Sequence, residues 1–182
     1  MWHKHGVPPR SRSSRPPPPL DARALEQLAL RYVERFATTR GKLAHYLARK
    51  IRERGWDGEP ADIAALTQRF AERGYVDDRG FAAMKGAALT RSGYGVRRVA
   101  DALRAAGVAE PDAATALAEA RAAAWDSALK LARRRRIGPF ADAVPDPRTR
   151  ERQMAALLRA GHGMDIARRI LASPPGHIPD PE

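Results

Sequence analysis

Residues 95–107 read Gly95-Val96-Arg97-Arg98-Val99-Ala100-Asp101-Ala102-Leu103-Arg104-Ala105-Ala106-Gly107. Val99, Leu103 and Gly107 are spaced by four, so the two apolar residues share one helical face. The glycine then falls where a helix can close in a left-handed turn. At an offset of 52 residues, Leu47, Ile51 and Gly55 form the same triple. Ile166 and Ile170 repeat its first two members, with Pro174 in place of the glycine. Any single helix can show such a triple. The matching order of elements around each copy is what suggests a repeat.

Working outward, helix signals recur and strand signals are nearly absent. Leu25, Leu28, Tyr32 and Phe36 fall on one face. Leu43, Leu47 and Ile51 form a stripe begun after Thr38 and Thr39 and closed by Gly55. Ile63, Leu66 and Phe70 form a third, entered through Pro60 at a first-turn position and closed by Gly74. Asp77 or Asp78 caps a fourth helix carrying Phe81, Met84 and Ala88, and the fifth runs from Val96 to Gly107. Pro111 opens an Ala-rich stretch to about Arg136, which a break near Trp125 would divide into two helices. Gly138, Pro139 and Pro145 mark a loop. Asp146-Pro147 starts the helix bearing Met154, Leu157 and Leu158, and the last helix carries Ile166 and Ile170. Eight or nine helices with short connections predict an all-α chain.

The composition agrees. Hydrophobic residues make up 43% and aromatics 6%, so a core must rest on Ala, Leu, Ile and Val, which suits thin helical layers. There are 33 basic and 21 acidic residues, a net charge of +12, and 28 of the basic residues are Arg. Such an excess points to a polyanionic or acidic partner. A GC-rich genome also favours Arg and Ala, so the total charge carries more weight than the choice of Arg. Residues 1–19 hold six of the fifteen prolines and four basic residues with no acid, and read as a disordered basic arm. Without them the remainder is still +8, so the charge belongs to the folded part. Residues 174–182 read as a frayed tail. The absence of cysteine excludes disulfides, Cys-ligated zinc and thiol catalysis. No apolar run suits a signal peptide or a membrane span, so a cytoplasmic protein is expected.

Gly74-Tyr75-Val76-Asp77-Asp78-x-x-Phe81-Ala82 resembles the glycine, apolar, Asp-Asp, Phe-Ala signature at the heart of the RecX family. Gly95-x-x-Arg98-Val99-x-x-x-Leu103-x-x-x-Gly107 resembles the segment that follows it there. Leu157-Leu158-x-x-Gly161 with Ile166 and Ile170 resembles the family's C-terminal module. The family usually carries an aromatic at the position of His162 and often a basic residue at that of Ala160. The resemblance spans roughly residues 20–172. It implies tandem three-helix repeats, 20–74, 75–122 and 123–173, in an elongated, curved single chain. It further implies a non-enzymatic regulator, a monomer without cofactor or metal. Such a protein binds along or at the end of the RecA recombinase filament and limits its growth during homologous recombination and the SOS response.

Each candidate chemical site has a plain structural reading beside the functional one. Asp77-Asp78 could suggest a metal pair, but Asp before an apolar helix is usually an N-cap. Lys130 and Arg133-Arg134-Arg135-Arg136 form the densest positive cluster. Four successive helical residues point all round the axis, so no single partner uses them all. They fit a solvated helix end that opposes the dipole, or contact with phosphates or an acidic surface. Gly93-Tyr94-Gly95 with Arg91, Arg97 and Arg98 fits an inter-helix turn better than a phosphate grip. Met1-Trp2-His3 could chelate Cu²⁺ or Ni²⁺ but fits an accident of the arm. His45 and His162 read as surface or cap residues. Nothing matches a catalytic triad, metal spacing or P-loop. Arg97, Arg98, Lys130 and Arg133 to Arg136 are thus the candidate contacts with recombinase or, weakly and without sequence preference, with DNA. The rival readings are a helix-turn-helix DNA-binding regulator, which needs one dominant three-helix unit and a dimerisation element, and a helical-repeat adaptor, which would not need the charge.

Overall fold

Short polar side chains start five of the helices among the described residues. Asp21, Thr39, Asp62, Asp77 and Asp146 each accept the backbone N–H three residues on. The computed structural model describes residues 18–180. Among these it shows α1 (Ala22–Arg35), α2 (Arg40–Arg54), α3 (Ile63–Glu72), α4 (Asp78–Arg91), α5 (Val96–Ala105), α6 (Glu110–Ala122), α7 (Ala124–Arg135), α8 (Pro147–Arg159) and α9 (Met164–Ala172). A short 3-10 turn, Gly138–Phe140, follows α7. The described residues contain no strand, only an isolated bridge between Leu20 and Trp56. The Pro-rich arm up to residue 17, with its Met1-Trp2-His3 chelate motif, lies outside the described residues, as do residues 181 and 182.

One helix start differs from the sequence reading: Pro60 is outside α3, whose cap is Asp62. The Ala-rich stretch divides into α6 and α7 at Ala123, near Trp125 as expected. The tail is tied down over part of its length: the Gly176 N–H donates to the Pro139 carbonyl at 2.9 Å, and Arg169 donates to the Asp180 carbonyl.

The buried side chains fall into three clusters, each built from three consecutive helices. Leu25, Leu43, Leu47, Leu66 and Phe70 pack α1 to α3 together. Ala82, Val99, Leu103, Ala113, Ala116 and Ala120 do so for α4 to α6. Leu131, Leu157, Ala167, Ile170 and Leu171 hold α7 to α9. A helix-turn-helix regulator calls for one dominant three-helix unit, and the three cores here are of comparable size. The middle core is made of small residues because α4 and α6 cross closely. A Cβ on Gly86 would stand 3.3 Å from the Cβ of Ala116. That crossing buries Ala82 and Gly86 and turns Met84 outward at 58% exposure, although Met84 was expected on the apolar stripe. Phe36, expected to continue the stripe of α1, is its extended C-cap and is 54% exposed.

The second helix of each trio meets the next one end to end. At the first joint, the Thr39 hydroxyl at the start of α2 donates to the Ala106 carbonyl at the end of α5. At the second, the Gly95 N–H at the start of α5 donates to the Ala160 carbonyl at the end of α8, at 2.9 Å. The Arg97 N–H donates to the Gly161 carbonyl at 3.2 Å. At the second joint free amide hydrogens at one helix start thus satisfy free carbonyls at another's end, at the first a side-chain hydroxyl does so, and at both the opposed partial charges of the two dipoles attract. The receiving ends have the same geometry. Gly107 (φ 69°) and Gly161 (φ 92°) adopt the left-handed conformation, and the next N–H returns to the carbonyl of Leu103 or Leu157. These joints pair α2, α5 and α8. The third counterpart of Leu103 and Gly107 is therefore Leu157 and Gly161, not the Ile166–Ile170 pair of α9 suggested by spacing. An i, i+4 apolar pair marks every helix of a trio alike, so spacing could not separate the second helix from the third.

Candidate interaction surface

The seven candidate cations are all solvent-exposed and occupy two places. Arg97 and Arg98 lie in the first turn of α5, held there by the joint with α8. Gly95 is needed at that joint because a Cβ would run into the Gly161 carbonyl. The Arg98 guanidinium sits 5.9 Å from the Tyr94 ring. Arg97, Arg98 and Asp101 share a shallow cleft with Leu158 and Arg159 of α8. Arg159 thus joins the cluster from more than sixty residues away in sequence, where no local pattern marks it. Asp101 is ion-paired with Arg104 at 2.8 Å.

Lys130 and Arg133 to Arg136 occupy the last turns of α7, where their charges oppose the dipole. The four arginines diverge. Arg133 lies over the Phe140 ring at 4.9 Å, Arg134 donates to the Ser92 carbonyl at 3.0 Å, and Arg136 pairs with Asp142 at 3.1 Å. Arg136 closes α7 with a left-handed φ of 52°, the one non-glycine residue with positive φ among the described residues. Its neighbour Ile137 is buried and returns its N–H to the Ala132 carbonyl at 2.9 Å.

The Ser92–Gly95 turn lies between the two groups. Gly93 packs against α7 so closely that a Cβ would stand 3.2 Å from both the Leu131 nitrogen and the Ser127 oxygen. Arg134 grips Ser92 on one side, and Arg97 and Arg98 follow the turn on the other. Of the seven cations, only Arg136 has a carboxylate within ion-pair distance among the described residues. Six of the seven cations are thus exposed with no carboxylate within ion-pair distance among the described residues, and three of them, Arg97, Arg98 and Arg134, flank the Ser92–Gly95 turn. Their positive potential attracts phosphates and acidic surfaces over about 8 Å at physiological salt.

His162 is buried at 1% exposure, not at the surface. It follows Gly161, and its Nε2 lies 3.0 Å from the Gly93 carbonyl. A carbonyl only accepts, so Nε2 carries the hydrogen and Nδ1 is a buried nitrogen without a donor. Burial pushes the imidazole pKa below its usual value, partly offset by the Gly93 bond. Its burial was not legible because the turn that covers it comes from another trio.

Asp77 and Asp78 divide their work. Asp77 caps α4 through the Gly80 N–H at 2.8 Å. Asp78 is buried and reaches back to α2, where Oδ1 accepts the Arg40 N–H at 2.8 Å and Oδ2 pairs with Arg40 Nε at 3.0 Å. Arg40 also pairs with Asp112 at 2.5 Å, and Arg79 pairs with Asp112 at 3.0 Å. The bond and charge of Asp78 raise the Arg40 pKa above its ordinary value. This ion-pair network braces the first joint, and sequence reading missed it because its members lie on three helices. Among the described residues, no group of three or more His, Asp or Glu is placed to hold a metal, and no helix is long and apolar enough to cross a membrane.

No family model matches the chain. Curated proteins do. The chain is 35% identical over 163 residues to the regulatory protein RecX of Myxococcus xanthus (strain DK1622), covering 83% of this chain and 86% of that one. It is 29% identical over 148 residues to the regulatory protein RecX of Agrobacterium fabrum, covering 79% of each. Among solved structures, RecX from Lactobacillus salivarius matches 81% of this chain and 92% of its own with a TM-score of 0.57 at 18% identity.

Proposed function

The chain belongs to the RecX family of regulatory proteins, and on that premise we propose that it binds the RecA recombinase filament as a single chain and limits the filament's growth and activity in DNA repair and recombination. The observation that supports this most is the set of six exposed cations without carboxylate partners among the described residues, at the start of α5 and the end of α7, with Arg97, Arg98 and Arg134 flanking the Ser92–Gly95 turn. A regulator that acts by contact needs a rigid, charged surface and no reacting groups. Acidic loops of the recombinase or the phosphates of its bound DNA would supply the complementary charge. Arg97, Arg98, Lys130 and Arg133 to Arg136 would provide long-range attraction and a few charge-assisted hydrogen bonds, without reading bases.

Co-purification with the host recombinase, with and without single-stranded DNA and ATP, tests the reading. Capture that depends on DNA and ATP together is expected, because those conditions assemble the filament. A folded chain that captures no recombinase under either condition would overturn it.

A further inference from the structure

The segment after α9 contributes nothing to the third core, since no residue beyond Leu171 belongs to it. It is nevertheless fastened. The Gly176 N–H donates to the Pro139 carbonyl at 2.9 Å, and the His177 N–H closes a turn on the Pro174 carbonyl at 3.1 Å. Arg169 of α9 donates to the Asp180 carbonyl. Gly176 adopts a left-handed φ of 84°, which a side chain would strain. Pro174, Pro175 and Pro179 fix the backbone on either side of it, so little freedom is lost when the segment lies down.

The fastening brings Ile178 to α7. There it closes a cleft of about 240 Å³ whose other walls are Asp126, Leu129, Lys130, Arg133 and Phe140. Lys130 and Arg133 are two of the candidate contact cations, and Arg133 lies over the Phe140 ring at 4.9 Å. Residues 173–180 carry Asp180 and neither Lys nor Arg, so an apolar, weakly acidic strand rests on the cationic end of a helix. That is the chemistry an acidic partner would bring to the same place. Ile178 is still 48% exposed, and a half-covered isoleucine with a few hydrogen bonds holds a segment only loosely. We propose that residues 174–180 form an autoinhibitory strap: while it is docked, Ile178 occupies the apolar side of the cleft beside Lys130 and Arg133, and an acidic partner must lift it to engage them. The proposal rests on the reading of these cations as a contact with the recombinase filament.

Two readouts on the full chain test it. The chain has no cysteine, so Asp180→Cys takes a single bimane label, a dye that tryptophan quenches at contact range. Trp125 is the quencher, because Arg169 both holds the residue 180 carbonyl and lies over the Trp125 ring at 5.1 Å. The label should be quenched in the free chain and should brighten in Trp125→Phe and in Gly176→Pro, which loses the donor and forbids the left-handed φ. It should also brighten when saturating recombinase filament or inorganic polyphosphate is added. In the second readout, unlabelled Gly176→Pro and Ile178→Ser, with circular dichroism unchanged, should bind each of these anions about two- to fivefold more tightly than the parent, the gain expected from freeing a loosely docked segment. Adding Lys130→Gln/Arg133→Gln should abolish that gain. A label unquenched in the free chain, quenching that persists once either anion is bound, or strap variants that bind no more tightly than the parent would overturn the strap. If the filament binds neither parent nor variants, the recombinase reading fails, and the polyphosphate results alone decide the strap.

Discussion

Gly41 and Gly107 meet backbone to backbone: a Cβ on Gly41 would stand 2.6 Å from the Cα of Gly107. Gly41 is the second residue of α2 and Gly107 closes α5, so the contact sets the distance between the first and middle cores. Gly95 and Gly161 meet in the same way at the second joint. In both places helix ends can share hydrogen bonds because no side chain keeps them apart.

Gly41→Ala should therefore destabilise the chain even though alanine is the better helix former. The methyl group has only backbone to displace, so a loss of about 1–3 kcal/mol is expected. Urea unfolding measures it. A variant as stable as the parent would show that the joint yields freely.

Arg40→Ala should cost about 2–3 kcal/mol, somewhat below the penalty of a fully buried pair because the Arg40 side chain is 32% exposed. The Asp78 side chain is only 4% exposed and would keep the α2 N–H while losing its cation. A double-mutant cycle with Asp78→Asn isolates the pair. A coupling energy near zero would remove Arg40 from the account of the joint.

His162 makes stability depend on pH. Its folded pKa lies below the usual 6.5 of the unfolded chain, so the unfolded state binds the proton first. The stability it contributes is whole above that value and is lost as pH falls from there toward the folded pKa. His162→Phe, which cannot titrate, should flatten that part of the curve of unfolding free energy against pH. An identical slope in the variant would contradict the assignment.

Arg136→Gly should stabilise the fold by about 1 kcal/mol, because a left-handed residue with a Cβ is strained and glycine is not. The exposed pair with Asp142 offsets little of this. Thermal unfolding gives the sign, and a lower melting midpoint would show that Asp142 holds the turn.

Much of this architecture was legible because it is local. Caps such as Thr39, Asp77 and Asp146, closing glycines and the stripe Leu43–Leu47–Ile51 act within a few residues, and each stands where its chemistry requires. Residues that act between trios were not legible. Asp78 looks like a second cap beside Asp77 until Arg40 arrives from α2, and His162 looks exposed until the Gly93 turn covers it. Met84 fits the helical period but yields to the close crossing of α4 and α6, which only the pairing of Gly86 with Ala116 imposes. The α7 arginines were visible as a charge run, whereas Arg159 joins Arg97 and Arg98 only through the second joint.

The most direct test of regulation by contact is a titration of recombinase ATPase and strand exchange with the parent chain and with Arg134→Glu/Arg135→Glu. Capping a growing filament end stops many subunits per inhibitor, so the parent should inhibit well below equimolar ratio. The reversed variant, with helicity unchanged, should associate more slowly and inhibit less, on every DNA sequence tested. Inhibition by the parent should also weaken steeply as salt rises. Full activity of the recombinase at an equimolar ratio of folded parent chain would contradict the account.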